Sequence, residues 1–215
     1  MKEKVMKYET LPIAEPALPT PLPTDHQSLM NIFYNHWQAH SAAVRDHNKA
    51  IDPDSDEIFV RAGAEGMMRS ANQEEIAAVM PPIVNAAVVL GNHNYQIGNG
   101  GWLQWDGNGY SASIDMLEGI YNGAVKFGIE GAEEVLEMIQ AFRKRKEDED
   151  RDSRYGYHNS YSDEDDDEKE DGLYTDDLDT QYYAKDREPM IQKILDNFHE
   201  IAGMALMQGP FRKAA

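Results

Sequence analysis

Apolar side chains recur every three or four residues in each long segment of this 215-residue chain, and no long segment alternates apolar and polar residues. The first spacing places side chains on one face of an α-helix, whereas alternation is typical of a β-strand. Helices with one apolar stripe bury that stripe by packing against other helices. The sequence therefore predicts an all-α fold, with a single compact multi-helix domain over residues 24–215.

Capping residues and prolines predict where the first helices begin and end. Thr24 opens a capping box that precedes a long first helix, and Ser55 can start a second one. Asn72 is expected to cap a further short helix, which Pro81 and Pro82 stop. Because proline is tolerated in a first helical turn, the same proline pair can open the next helix.

Glycines divide the second half of the chain. Five of them lie between residues 97 and 113, which predicts a shaped loop there. Ser113 is then expected to cap a helix that ends at Gly128. Residues 131–146 predict a strong helix whose basic run, "RKRK", lies at the negative C-terminal pole. Pro189 is expected to mark the junction of one or two final helices.

Two segments are predicted to have little order. Residues 147–179 contain 16 acidic and three basic side chains, which accounts for −13 of the formal net charge of −19. Such a block repels itself, so residues 147–172 are expected to form a flexible acidic insertion. Residues 1–23 hold five of the ten prolines and predict an extended arm. We expect this arm to be a spacer or to lie along the domain, in preference to acting as a ligand for SH3-type domains.

Composition excludes several classes of function. The chain has no cysteine, so disulfides, thiolate catalysis and Cys-ligated zinc are ruled out. A strongly acidic chain repels phosphates and anionic lipids, so direct binding of nucleic acid or membranes is not expected and basic partners are favoured. The N-terminus has no apolar core of a signal peptide, and no apolar run is long enough to span a bilayer. These features predict a cytoplasmic protein.

Three histidines, His36, His40 and His47, share one face of the first predicted helix. Imidazoles on one face can bind zinc, but the first and last of them are about three turns apart, beyond the reach of one ion. We therefore expect a polar helix face, with no bound metal and no other cofactor. The chain also has no phosphate-binding loop, no GxSxG elbow and no recognisable nucleophile with its base, so no enzyme activity is expected.

The segment "NGGWLQWDGNGYSASIDMLEGI" resembles the small, acidic, all-helical bacterial DNA-mimic proteins. The loop residues that carry the resemblance are Asn99, Gly100, Gly101, Trp102, Gln104 and Trp105. The resemblance continues to Phe142, and "LDTQYY", from Leu178 to Tyr183, is similar to the closing helix of that family. It implies a decoy that occupies the DNA-binding surface of another protein. The loop residues themselves are expected to be structural, with the glycines permitting positive φ and the tryptophans packing against helices.

Acidic helix faces can imitate a DNA backbone, because carboxylates four residues apart on a helix lie about 6 Å apart, close to the spacing of successive phosphates. The predicted partner-binding residues are the carboxylates of the strong helix and of the acidic segment after it. They are Glu130, Glu133, Glu134, Glu137, Asp163, Glu164, Asp165, Asp166, Asp167, Glu168, Glu170, Asp171, Asp176, Asp177 and Asp179.

The leading hypothesis is a non-catalytic DNA mimic that inhibits a basic DNA-binding protein. Such a partner is a transcription factor, a nucleoid protein or a DNA-targeting nuclease, and the last would give an anti-restriction or anti-defence role. One alternative is an immunity-type module that blocks a basic partner such as a toxin. Another is a metal-dependent enzyme that uses His36 and His40. The sequence leaves the identity of the partner and the oligomeric state open, and a homodimer is compatible with it.

Overall fold

The computed structural model describes residues 9–53, 66–154 and 175–208. Within these ranges the chain forms eight α-helices and no β-strand, so the all-α prediction is confirmed. The helices are α1 (His26–Ile51), α2 (Gln73–Ala77), α3 (Pro82–Gly107), α4 (Ile114–Lys126), α5 (Ala132–Arg154), α6 (Asp176–Tyr183), α7 (Glu188–Asp196) and α8 (Phe198–Gln208). The Cα positions group the chain into two compact units, Met1–Val88 and Val89–Ala215, with the boundary inside α3.

Local capping accounts for the helix starts of the first unit. The capping box predicted at Asn72 is confirmed, since its side chain accepts from the Glu75 amide and the Glu75 carboxylate accepts from the Asn72 amide. α3 begins at Pro82, as predicted. The cap of α1 is Asp25 and not Thr24, because the Asp25 carboxylate accepts from an amide at 2.8 Å. A carboxylate is favoured there by the positive pole of the helix. The helix start predicted at Ser55 lies outside the described residues.

Glu9 and Leu11 of the proline-rich arm bind the segment that precedes α2. The Leu11 amide donates to the Arg69 carbonyl at 3.3 Å, and the Arg69 amide donates to the Glu9 carbonyl at 3.0 Å. The Arg69 guanidinium in turn donates to both carboxylate oxygens of Glu75, at 2.8 and 2.6 Å. Further along the arm, Pro12, Pro19 and Pro21 are exposed.

Two histidines and an asparagine of α1 bind the backbone of residues 66–71, within the segment that precedes α2. His40 accepts from the Ala71 amide at 3.0 Å. The buried Asn48 side chain makes two hydrogen bonds with the backbone of Met68, both 3.0 Å long. His47 Nε2 lies 3.0 Å from the Gly66 carbonyl oxygen. Of the three histidines of the predicted polar face, His40 and His47 thus have backbone partners.

The second unit is built around an aromatic core. Trp102, Trp105, Tyr121 and Phe142 are all buried, which confirms that the two tryptophans pack against helices. The Trp102 and Phe142 rings stack with centroids 5.4 Å apart and an interplanar angle of 26°. α4 packs against both α5 and α8 beside this core.

The prediction of a loop over residues 97–113 is wrong in its extent, because the segment is α-helical to Gly107 except at one short break. α3 continues through it to Gly107 and is interrupted only at Gly100 and Gly101, whose φ/ψ angles are −166°/20° and 74°/−168°. The chain resumes a helix after this break because Trp102 and Trp105 lie one turn apart and are both buried. We call this interruption the α3 break.

Several boundaries in the C-terminal half also differ from the prediction. α5 does not end with the basic run at residue 146 but continues to Arg154, so residues 147–154 of the predicted flexible insertion are helical. Ser113 occupies the N-cap position of α4, yet its side chain makes no capping hydrogen bond. α4 ends just before Gly128, as predicted, and Gly128 has a φ of 81°. Three helices follow residue 175, and Pro189 lies in the first turn of the second one.

α4 and α8 approach each other closely at Gly123 of α4. A Cβ atom at this position would lie 2.6 Å from the Ile201 carbonyl oxygen of α8. Backbone atoms of two packed helices cannot both move aside cheaply, so the site requires glycine.

We expect Gly123→Ala to lower the free energy of unfolding by about 1–3 kcal/mol, the usual range for overpacking. Gly203→Ala in α8 is the matched control, because a Cβ there would meet nothing within 4 Å. The control should leave stability unchanged or raise it by up to about 1 kcal/mol, since alanine favours helix over glycine. Chemical denaturation of both variants measures the difference. Equal stabilities would show that the α4–α8 approach is looser than described.

A histidine is enclosed in the same core. The His93 ring lies 5.5 Å from the Trp102 ring, 5.8 Å from the Trp105 ring and 5.7 Å from the Tyr121 ring, measured between centroids. Burial lowers the pKa of His93 to about 4. Since a histidine in the unfolded chain has a pKa near 6.5, the unfolded chain binds more protons between these values. The stability that depends on neutral His93 is therefore present above about pH 6.5 and is lost as the pH falls toward 4.

This linkage predicts that the wild type loses about 2–3 kcal/mol of unfolding free energy between pH 7 and pH 4.5 relative to His93→Leu. Comparison with the variant cancels the titration of the carboxylates that both proteins share. His199→Leu removes an exposed histidine and should follow the wild type across the same pH range. Urea denaturation at several pH values provides the measurement, and a constant difference between wild type and His93→Leu would contradict the prediction.

Candidate protein-binding surface

Helix α6 caps both sides of the α3 break. The Asp179 carboxylate accepts from the Trp102 amide at 2.9 Å, at the start of the second half of α3. The Tyr183 hydroxyl donates to the Ile97 carbonyl, near the end of the first half. Asp179 and Tyr183 are four residues apart and so share one face of α6. One face of a short helix thus satisfies backbone groups that the break leaves without their usual partners.

The same contact explains why glycine stands at position 101. A Cβ atom there would lie 2.3 Å from an oxygen of the Asp179 carboxylate, and the φ of 74° is itself unfavourable for other residues. Leu178 and Tyr182 point from the neighbouring face of α6 into the core. The α3 break and α6 are therefore bonded directly to each other, although Trp102 and Asp179 are 77 residues apart in sequence.

Asp179→Ala removes this cap and should lower the free energy of unfolding by about 1–2 kcal/mol, as loss of an N-cap does. Asp179→Asn keeps an oxygen acceptor and should retain most of the stability. Asp176→Ala removes an exposed carboxylate of the same helix and should cost less than about 1 kcal/mol. Hydrogen exchange of the Trp102 amide provides the local measurement. It should accelerate in Asp179→Ala alone, and an unchanged rate would show that the cap contributes nothing.

The basic run of α5 binds carboxylates of three other helices. Arg143, Arg145 and Lys146 lie in the middle of α5 and not, as predicted, at its C-terminal pole. Their carboxylate partners are Asp115 and Glu118 of α4, Asp177 of α6 and Asp106 of α3. Four carboxylates of the second unit therefore form internal ion pairs with this basic run.

Two of the predicted partner-binding carboxylates, Asp177 and Glu134, each accept two hydrogen bonds from basic side chains of the same molecule. Asp177 accepts two hydrogen bonds of 2.6 Å from Arg145, and these hold its pKa below the usual value. Glu134 accepts from Lys185 at 2.5 Å and from Arg187 at 2.9 Å, and these bonds likewise lower the pKa of Glu134. These carboxylates are ionised, but their charge is largely balanced inside the molecule.

The contacts of Glu134 bring the start of α5 next to the start of α7. Within the described ranges, five exposed carboxylates around this junction have no ion pair. We call them the α5–α7 acidic cluster: Glu130, Glu133, Glu137, Asp186 and Glu188. Glu130 lies in the turn before α5, whereas the sequence placed it on the helix.

Asp186 and Glu188, the two members of the cluster at the start of α7, were not among the predicted partner-binding residues. Asp186 accepts from the Glu188 amide at 3.0 Å, so the pair also organises the first turn of that helix. Acidic residues just before and within a first turn are a recognisable signal of a helix start. Their proximity to α5 depends on ion pairs across about 50 residues of sequence, which no local pattern encodes.

A longer acidic face runs along α5. Glu133, Glu137 and Glu147 are all exposed and share one face of the helix. Gln140 and Lys144 lie between the two acidic parts of this face. At about 1.5 Å per residue, Glu137 and Glu147 are about 15 Å apart along the helix axis. The face therefore carries carboxylates on both sides of a middle part that has no carboxylate.

The remaining predicted partner-binding residues are Asp176, which the structure describes, and a central acidic run, which it does not. Asp176 is exposed in the first turn of α6. The central acidic run lies outside the described residues: Asp163, Glu164, Asp165, Asp166, Asp167, Glu168, Glu170 and Asp171. A partner-binding role for all of these carboxylates remains a prediction.

A family model described as DMP19-like protein matches residues 79–201, more than half of the chain. The chain belongs to the DMP19-like protein family. No curated protein and no solved structure matches it. The part shared with the DMP19-like family includes the α3 break, the basic run, α6 and the α5–α7 acidic cluster. It excludes α1 and α2, which precede residue 79.

The described part of the chain has neither a metal-binding cluster nor a membrane-spanning helix. No group of three or more histidine, aspartate or glutamate side chains there is arranged to hold a metal ion. None of the helices in this part is both long and apolar enough to cross a lipid bilayer.

Proposed function

We propose that the protein is a non-catalytic DNA mimic that inhibits a basic DNA-binding protein by occupying its DNA-binding surface. The observation that carries this proposal is the set of exposed carboxylates without ion pairs on the part of the chain shared with the DMP19-like family. Membership of that family agrees with the resemblance to DNA-mimic proteins in the glycine loop and the closing helix.

The distribution of charge supports a surface that resembles DNA. Five cations of the second unit are engaged in internal ion pairs: Arg143, Arg145, Lys146, Lys185 and Arg187. The unit therefore presents an excess of carboxylates to solvent. Carboxylates on adjacent turns, such as Glu133 and Glu137, lie about 6 Å apart, which suits lysine and arginine side chains that normally bind successive phosphates.

The length of α5 supports the same proposal. Glu137 and Glu147 lie about 15 Å apart along the helix axis, with Gln140 and Lys144 between them. The major groove of DNA, about 12 Å wide, is likewise flanked by phosphates on both sides. A DNA-binding element of the partner would lie against the middle of this face, with its basic residues reaching the carboxylates on either side.

Electrostatic attraction of this kind gives fast association that weakens steeply with salt. The full-length protein, immobilised and exposed to extract of its native cell, should capture a basic protein that excess duplex DNA displaces. A captured partner that does not bind DNA, and that duplex DNA leaves in place, would contradict the proposal and favour an immunity-type module.

Charge reversal tests the surface directly once the partner is captured. Glu137→Lys should weaken binding about tenfold or more, because it places a cation where the partner's basic residues are expected. Asp46→Lys changes the charge equally at an exposed position of α1 that precedes the family match. The control should change affinity by no more than about twofold. Equal losses in the two variants would indicate that only the net charge of the chain matters.

A further inference from the structure

The α3 break presents several groups that attract cations, in addition to the α5–α7 acidic cluster. The first half of α3 ends there, and the C-terminal pole of a helix carries partial negative charge on its last carbonyl groups. Gly98, Asn99 and Gly100 at this pole are exposed. A Cβ atom at Gly98 would meet nothing within 4 Å, so the space beside this part of the backbone is open.

One face of α6 supplies further groups beside this pole. Asp176, Asp179 and Tyr183 follow each other at helical spacing, and the last two contact the break directly. The Tyr183 side chain is 52% exposed, although its hydroxyl is fixed by the bond to the Ile97 carbonyl. An exposed tyrosine ring held in place offers a π-face to a cation, worth about 0.5–1 kcal/mol at such sites.

The two chain segments that meet at the break carry no positive charge of their own. Residues 95–105 and 175–184 contain no lysine and no arginine, whereas α6 contributes three aspartates. One of them, Asp177, is paired with Arg145, and Asp179 caps Trp102, which leaves Asp176 exposed. We define the break surface as Gly98, Asn99, Gly100, Asp176 and Tyr183, which are exposed, together with the half-buried Asp179.

We infer that the break surface binds an arginine side chain of the basic partner. The guanidinium would stack on the Tyr183 ring and donate to the carbonyl groups at the end of the first half of α3. Asp176 lies two turns from Tyr183 on the same face of α6, about 10 Å away along the helix axis, and adds negative charge to this face. Arginine fits this combination better than lysine, because its planar group both stacks on aromatic rings and donates several hydrogen bonds. This inference rests on the proposed function, since it assigns a second contact to the same partner.

An arginine octapeptide serves as the probe, with a lysine octapeptide of equal charge for comparison. The full-length protein, labelled with 15N, is titrated with each peptide while the amide signals of residues 98–102 and 180–183 are followed. The arginine peptide should shift these signals and bind the break surface more tightly than the lysine peptide. Tyr183→Leu should weaken the affinity read from these signals about two- to fivefold, the equivalent of a cation–π contact of 0.5–1 kcal/mol.

Tyr183→Phe separates the ring from the hydroxyl, because it keeps the π-face and loses only the hydrogen bond to the Ile97 carbonyl. It should bind the arginine peptide within about twofold of the wild type. Asp176→Asn alters an exposed side chain, keeps the size of the residue, and should also weaken binding of the peptide. It provides a test that does not depend on the stability of the Tyr183→Leu variant.

Unshifted signals at residues 98–102, or equal shifts in wild type and Tyr183→Leu, would overturn the inference. So would a finding that Tyr183→Leu abolishes self-association in sedimentation experiments while the arginine peptide leaves the break signals unchanged, since a second copy would then be the occupant. If duplex DNA still competes for the captured partner in that case, the proposed function stands and only the arginine site fails. If the peptide binds as expected but duplex DNA does not compete, the proposed function fails instead.

Discussion

The second unit depends on the hydrogen bond between the Asp179 carboxylate and the Trp102 amide. A helix that is interrupted in its middle leaves backbone groups unsatisfied, and this bond allows α3 to resume helical geometry immediately after Gly101. The resumed helix directs Trp102 and Trp105 into the core, where Trp102 stacks on Phe142 of α5. The helix that carries the acidic face thus packs directly against the resumed half of α3.

Charged residues have two distinct roles in this unit. Arg143, Arg145 and Lys146 connect α5 to α3, α4 and α6, so basic residues serve mainly to hold helices together. Carboxylates are more numerous, and those without an internal partner remain at the surface. Among the described residues, several of these carboxylates, such as Glu133, Glu137 and Glu147, lie on a helix face turned toward solvent.

Much of the fold could be predicted because its determinants are local. Asn72 and Pro82 mark helix starts through groups within one turn of themselves, and helical spacing alone predicted the all-α class. The prediction over residues 97–113 was wrong because glycine indicates where a helix breaks but not whether it resumes. Resumption depends on burial of Trp102 and on Asp179, which lies far away in sequence.

The candidate site was less predictable for the same reason. Glu133 and Glu137 were recognised from their spacing, and they are exposed as expected. Glu134 lies between them in sequence yet binds Lys185 and Arg187, because those cations are brought close only by the packing of the helices. Sequence spacing can place a carboxylate on a helix, but it does not indicate which carboxylates have internal partners.

The way α6 is held has a consequence for the chain that joins it to α5. Contacts with α3 and α5 position α6 through Asp179, Tyr183 and the Arg145–Asp177 pair, so the connecting residues are not needed to set its place. Closing a longer connection costs little, since each doubling of its length adds only about 0.6 kcal/mol. We therefore expect that lengthening or shortening the connection between α5 and α6 changes the stability of the fold by little.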